Sequence, residues 1–485
     1  MNVFRTKAVG GEREDTGLRR CLTTADLIFL GIGGIIGAGI FVLTGVAAAL
    51  DAGPAIVLSF IISGLACAFT ALSYAELSAA VGGCGSAYGY AYAGLGEIIA
   101  WIVGWDLILE YGVATAAVAI GWSGYVRDAL TSVGIHLPLA LTRVNIYAIA
   151  AWLLDLVHRP VPALIAAKAS TGGFINLPAA AIILLLSLVL AAGVRQSAAF
   201  NGLMVFVKLA VIALFIGVAC FHVTPGNWHP FMPFGWPGVM RGAALIFFAY
   251  IGFDAVSTAA EETQNPQHSL PIGIIVSLVV CTAIYIVVSG LLTLIVPYFT
   301  LDTASPVARS MLTLGHPVVA LLIGIGAIVG LTSVMLVLFY GLTRIFLAMS
   351  RDGLLPSAFA AVNTRTKTPV RVILLCGLVM AIIAGLTPIG YVAELVNIGT
   401  LAAFTIVCAG VLVMRYTKPN MVRPFRAPGS PIVPVLGMGF CLYLMLSLPL
   451  ITWLRFLVWF VIGMAVYVFY GHSHSRLATT KRLSS

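Results

Sequence analysis

Charged residues are scarce in this chain: they make up 9% of 485 residues, whereas 61% are hydrophobic. A soluble domain needs roughly a quarter or more of its surface as Lys, Arg, Asp and Glu, which this composition cannot supply. The scarcity therefore excludes a soluble protein. Short alternating strands are also missing. The apolar runs are about 20 residues or longer rather than about 10, which excludes an outer-membrane barrel. What remains is an all-α polytopic membrane protein.

Other absences narrow the function. The eight cysteines are scattered, mostly in apolar runs, and form no CxxC pair. Neither a disulfide framework nor a zinc site is indicated, and they read as small core residues. His472 and His474 lie in the tail with no further ligand type nearby, so no metal is expected. There is no P-loop for ATP and no nucleophile–base constellation, so no cofactor and no covalent chemistry are implied. No cleavable leader is expected, because a polar tail runs straight into a full-length span. The net charge of +9 could suggest nucleic acid. Its charges sit between the apolar runs, however, and membrane orientation accounts for them better.

Twelve spans can be placed, near 26–50, 54–81, 97–126, 174–194, 200–222, 238–262, 271–296, 318–349, 370–387, 391–414, 431–449 and 452–470. An even number puts both termini on one side. Seven Lys and Arg fall on the predicted outside and 18 on the predicted inside, with Lys208 left in a span. This asymmetry places both termini in the cytoplasm. The outside loop near 127–173 is long, and its apolar run from Val144 to Val157 is too short to span. It reads as a surface or re-entrant helix.

Against this scarcity, glycine is abundant where it should be rarest. Five glycines, Gly31, Gly33, Gly34, Gly37 and Gly39, fall in nine residues of the first span. A dinucleotide fingerprint would need a preceding strand, and a helix-packing seam needs fewer small residues. A broken helix fits best. Breaks are tolerated in a membrane only where protein or a cavity surrounds them, and freed amides at a half-helix start can hold a carboxylate. The sixth span repeats the interruption at Gly252-Phe253-Asp254. Spans one and six each open a five-helix half. Paired breaks at matching positions point to an inverted-repeat transporter with a midplane site.

Three further features stand out. Lys208 lies about two turns into an apolar helix. It could snorkel to the interface, but an ionisable group at this depth is a functional candidate. Desolvation disfavours its charged form, which would suit a proton carrier, and a fixed cation could also stand in for a sodium ion. Asp106 and Glu110 are four apart on one helix face, and Asp254 lies beside the second break. They could form a buried acid network or merely hold helices together. Glu261 and Glu262 read as helix-end residues, and Arg344 and Arg351 as inside anchors or gate partners for acids.

These segments resemble a known family. Gly31-Ile32-Gly33 through Gly37-Ala38-Gly39-Ile40-Phe41-Val42, Gly85-Ser86-Ala87-Tyr88-Gly89-Tyr90-Ala91-Tyr92 and Gly252-Phe253-Asp254 are similar to signatures of the amino acid–polyamine–organocation transporters. Trp105-Asp106-Leu107-Ile108-Leu109-Glu110-Tyr111, Ser350-Arg351-Asp352-Gly353-Leu354-Leu355-Pro356 and Glu394-Leu395-Val396-Asn397-Ile398-Gly399-Thr400-Leu401 resemble the cationic amino acid transporter branch in its bacterial form.

The resemblance implies a leucine-transporter-like five-plus-five inverted repeat with two added helices. On this reading residues 1–25 are a cytoplasmic tail, 26–222 the first repeat, 238–414 the second, 431–470 the accessory pair and 471–485 a cytoplasmic tail. It also implies that backbone at Ile35, Ile36, Gly37, Ala38 and Gly39 holds the substrate carboxylate and part of the amine. Carbonyls of Phe248, Ala249 and Ile251 would take the α-ammonium, and Phe248 would gate the site. Lys208 matches the family's fifth-helix lysine, which implies proton coupling. Ala38 departs from the hydroxyl residue often found there.

The eighth span offers Ser333, Met335, Leu336 and Leu338, a mostly apolar stretch with no acid for a cationic side chain. The expectation is a proton-coupled importer of small neutral L-amino acids, alanine-like, in the bacterial inner membrane. Its expected partners are the amino acid substrate, protons and membrane lipids, with no nucleic acid, and a small single-span partner is left open. An arginine or lysine transporter and an obligate exchanger are the alternatives. A non-transporting amino acid sensor is the alternative of another class.

Overall fold

A computed structural model describes residues 5–6, 22–81, 86–145, 147–148, 150–151, 154, 173–192, 198–260, 263–363, 366, 368–429 and 431–477. Among these the regular structure is helical, with only isolated β-bridges. Glu261 and Glu262 fall outside the described residues, as does half of the Val144–Val157 run.

The first span begins at α1 (Thr24–Ile35), opened by a capping box. The Thr23 amide donates to Asp26 Oδ2 at 2.9 Å, and the Asp26 amide donates to the Thr23 hydroxyl at 3.3 Å. The helix stops at Ile36, whose ψ of 96° is extended. The span resumes as a π-helical turn over Gly39–Leu43, α2 (Thr44–Ala47) and a second π turn over Ala48–Ala52. Gly53, at φ 63°, and Pro54 reverse the chain into α3 (Ile56–Val81). A short α4 (Ser86–Gly94) precedes α5 (Glu97–Ser132), which runs a turn and a half past the predicted end of the third span. Then follow α6 (Leu177–Ala191) and α7 (Ala198–Ala219).

The sixth span is α8 (Gly235–Ile246), a 3₁₀ turn over Phe247–Tyr250, an extended Ile251, Gly252 at φ 112° and α9 (Ala255–Thr258). The rest is α10 (Pro266–Ile295), α11 (Pro306–Thr313), α12 (Pro317–Arg351), α13 (Val370–Leu386), α14 (Ile389–Thr417), α15 (Ile432–Leu446) and α16 (Leu450–Val466). The last helix continues through a π turn to His474.

Among the described residues eight helical stretches are long and apolar enough to cross a membrane, and α6, α13 and α15 are shorter apolar helices. The first stretch, Thr24–Val81, holds two passes divided at Gly53. Leucine, valine and phenylalanine side chains stay exposed along these helices, as at Leu188, Val279, Leu378 and Val461, a surface suited to lipid and not to water.

The packing carries the two-half architecture. The second span packs on the seventh, the third on the eighth and the fourth on the ninth. The first packs on the seventh and fifth, and the sixth packs on the second and tenth; the fifth packs on the eighth, and the tenth on the third. Exchanging each helix with the one five places along maps these pairings onto one another. Because five passes separate equivalent helices, the second half enters from the opposite face. The last span is held outside this frame by aromatic stacking. Trp105 lies 4.6 Å from Trp459, each indole donates to the other's carbonyl, and Gly463 leaves the space for Trp105.

Candidate functional site

The two breaks meet backbone to backbone. A Cβ on Gly34 would stand 3.1 Å from the Gly252 carbonyl oxygen, and one on Gly252 would stand 2.8 Å from the Gly34 carbonyl. At Gly39 a Cβ would lie 2.2 Å from the Ala249 Cα, so only glycine permits this crossing. The glycines therefore do two things: they release the helix, and they let the broken strands touch.

A narrow cleft, with room for about one water, lies at the crossing. The first span contributes Gly34, Ile35, Gly37, Ala38 and Gly39; the sixth contributes Phe248 and Ile251. The far wall is Ala114 and Val118 of α5 with Val334 and Leu338 of α12. No charged side chain lines it. Gly37 to Gly39 begin the second half-helix, where the first amides have no intrahelical acceptor. The cleft thus joins anion-binding backbone to an apolar side-chain wall.

Six of the eight sequence-predicted binding residues line this cleft: Ile35, Gly37, Ala38, Gly39, Phe248 and Ile251. Ile36 and Ala249 do not. The Ile36 carbonyl accepts from Lys208 and the Ala249 carbonyl from Tyr285, so both face away from the cleft into the protein. The Phe248 carbonyl also accepts from the Ile251 amide, at 3.3 Å.

Lys208 is completely buried on α7. Its Nζ donates to the carbonyls of Gly33 at 2.7 Å and Ile36 at 3.1 Å. These are end carbonyls of α1, which the break leaves without intrahelical partners and which carry the negative end of the helix dipole. The amine does not reach the interface, so the snorkelling alternative is removed.

The three acids also come together. Asp106, Glu110 and Asp254 are each buried, and Glu110 has both other carboxyls as electrostatic neighbours. Asp254 Oδ2 accepts from the Tyr111 hydroxyl at 2.7 Å. The carboxyl oxygens of Asp106 and Glu110 make no hydrogen bond of good geometry, and Asp106 packs so close to Gly399 that a Cβ there would lie 2.6 Å from Oδ1. Arg344, by contrast, lies over the Tyr340 ring at 4.1 Å, away from this cluster.

Three residues escaped the sequence reading. Tyr285 donates to the Ile35 carbonyl at 2.7 Å and lies 2.8 Å from that of Ala249, spanning the two breaks. Tyr111 serves Asp254. Asn397 on α14 donates to the carbonyls of Ala244 at 2.7 Å and Leu245 at 2.8 Å, just before the second break. On the side of α9, Ser257 donates to Ser86 at 3.0 Å and Tyr88 to Asp352 at 2.7 Å, which ties α4 to the sixth and eighth spans.

Residues 22–473 match the amino acid permease family. The chain is 46% identical to a methylthioribose transporter of Bacillus subtilis, over 98% of this chain and 99% of the relative. It is 45% identical to a branched-chain amino acid permease of the same organism, again over 98% and 99%. It is 36% identical to human cationic amino acid transporter 4, over 88% of this chain and 64% of that longer protein. These relatives are transporters and not enzymes. The chain belongs to the amino acid permease family, within the amino acid–polyamine–organocation superfamily and close to its cationic amino acid transporter branch.

Proposed function

We propose that this permease moves neutral aliphatic L-amino acids, alanine-like in size and reaching toward the branched-chain ones, by proton-driven alternating access. One observation carries the proposal: the cleft combines open half-helix amides with a wall of Ala114, Val118, Val334 and Leu338 that offers no partner to a cationic side chain. The relative named as a branched-chain amino acid permease supports the same choice.

In this reading the amides at Gly37, Ala38 and Gly39 take the carboxylate, and backbone at Phe248 and Ile251 takes the α-ammonium. Phe248 closes over the substrate. The carbonyls of Ile36 and Ala249 position the breaks through Lys208 and Tyr285 and do not contact the substrate.

Lys208 is the proton-coupling group. A neutral amine has two N–H donors, and both carbonyl acceptors are present; an ammonium adds a third donor. The same geometry therefore serves both charge states, with the third proton exchanged between them. Asp106, Glu110 and Asp254 form the adjoining acid network. Halves 26–222 and 238–414 rock against each other, both termini face the cytoplasm, and lipid covers the exposed apolar belt of the bacterial inner membrane.

Uptake of radiolabelled alanine into proteoliposomes, with and without an inward proton gradient, tests this. Gradient-driven accumulation that leucine competes and arginine does not is the expected result. Arginine uptake would overturn the neutral-substrate assignment. Flux that requires internal amino acid would make the protein an exchanger, and competition by methylthioribose alone would move the substrate class away from amino acids.

A further inference from the structure

We propose a divalent transition-metal site between His222 and His316, on the membrane face opposite the N-terminus. His222 follows α7 and His316 caps the start of α12, and the two Nε2 atoms lie 3.2 Å apart with the rings edge to face. Two imidazoles bound to one tetrahedral zinc at about 2.0–2.1 Å stand about 3.3 Å apart, so the pair is already at ligating separation.

The tautomer supports this assignment. His222 Nδ1 lies 3.0 Å from the Val218 carbonyl, which can only accept, so the ring N–H sits on Nδ1. The Nε2 lone pair then accepts from His316 Nε2–H in the metal-free pair, and the ion would take the place of that proton, with His316 shifting its N–H to Nδ1. An imidazole that donates one nitrogen to a backbone carbonyl and presents the other is the usual arrangement around a metal-bound histidine. Both side chains are half-buried, which leaves a path for an ion. Among the described residues no third His, Cys, Asp or Glu completes the group, so water fills the remaining positions. Imidazole donors with open positions suit zinc, nickel or copper rather than magnesium or calcium.

The ion would staple the outer end of α7, the helix of Lys208, to the start of α12, the helix that walls the cleft with Val334 and Leu338. Alternating access requires movement in this bundle, so the metal acts as an inhibitor from that face.

The test uses full-length protein purified without a histidine tag and titrated with zinc chloride by calorimetry. The wild type is expected to bind one zinc equivalent more than either His222→Gln or His316→Ala. Zinc added to the medium should slow uptake of whatever substrate the protein carries, with reversal by a chelator and no effect on either variant. The glutamine variant keeps size and polarity, and its metal-free uptake reports its fold. Equal zinc binding by the wild type and both variants would overturn the site. Loss in only one variant would also overturn it, because the pair is the proposed ligand. Calorimetry is independent of the transported substrate, so this outcome is separate from the amino acid assignment.

Discussion

Lys208 and Asn397 perform the same task at the two breaks of the molecule. Each lies on the fifth helix of its half and donates to two carbonyls beside the interruption of that half's first helix. Lys208 serves Gly33 and Ile36; Asn397 serves Ala244 and Leu245. The repeat is thus visible at the level of single hydrogen bonds. The two groups differ in one respect: an amine can take up and release a proton, and an amide cannot. One cap is titratable and the other is fixed.

This difference gives a paired prediction. Lys208→Ala should abolish the pH dependence of uptake and reduce transport strongly. Asn397→Leu should remove two buried hydrogen bonds, worth about 0.5–1.5 kcal/mol each, while the Leu245 carbonyl keeps the Phe247 amide. It should lower thermal stability and rate while the residual uptake keeps its wild-type pH profile. Uptake of alanine across a pH series checks both. A normal pH profile in Lys208→Ala would remove the lysine from proton coupling.

Gly39→Val should abolish substrate binding. The added Cβ would meet the backbone of Ala249 at 2.2 Å, and no rotamer change relieves a clash between main chains. Gly217→Ala, on α7 with nothing within 4 Å of its Cβ, should transport normally and serves as the control. The readout is stabilisation of the purified protein by added alanine. Undiminished stabilisation in Gly39→Val would take the first break out of the site.

The breaks, Lys208 and the acids were legible in the sequence because each contradicts its surroundings. Glycines and charges are costly in hydrocarbon, so they stand out from composition alone, although a packing seam, snorkelling and helix pairing compete as explanations. Tyr285 and Tyr111 were not legible because a tyrosine in an apolar helix reads as core. Its hydroxyl acquires meaning only from the carbonyl or carboxylate it meets, which for Tyr285 and Ile35 is 250 residues away. Asn397 did stand within a quoted motif, but its partners on α8 depend on tertiary packing. The motif also could not show which carbonyls turn away from the cleft. For Ile36 that follows from its extended ψ, which turns its carbonyl toward Lys208; the Ala249 carbonyl, within the 3₁₀ turn, meets Tyr285 through tertiary packing. The short α4 went unread because a mixed Gly and Tyr run lacks a clear helical stripe.

Ala114→Val should narrow the far wall of the cleft. Ala114 is buried and shares the far wall with Val334 and Leu338, beside the space that the substrate side chain would fill. One or two added carbons in such a pocket change discrimination by about 10-fold or more. Leucine uptake should fall by at least that factor while alanine uptake is retained. Competition of labelled alanine uptake by unlabelled leucine measures the change. Equal losses for both substrates would place their side chains elsewhere.

Tyr111 and Asp254 provide the test of the acid network. Tyr111→Phe removes the hydroxyl that reaches Asp254 Oδ2 and leaves a fully buried carboxyl with one side-chain donor fewer, a cost of about 1–3 kcal/mol. Asp254→Asn removes the acid but keeps an acceptor for the tyrosine. If the pair acts as a unit, the double variant should lose less stability than the sum of the singles, as measured by thermal unfolding in detergent. A purely structural pair would affect stability and rate and leave the ratio of protons to amino acid unchanged. A pair that belongs to the proton path behaves differently. Asp254→Asn should then lower the accumulation that a fixed proton gradient can drive, even at expression-matched rates, because Glu110 and Asp106 lose the carboxyl with which they share the buried site. Accumulation at the wild-type level in Asp254→Asn would assign the cluster to helix packing and leave Lys208 alone in the coupling step.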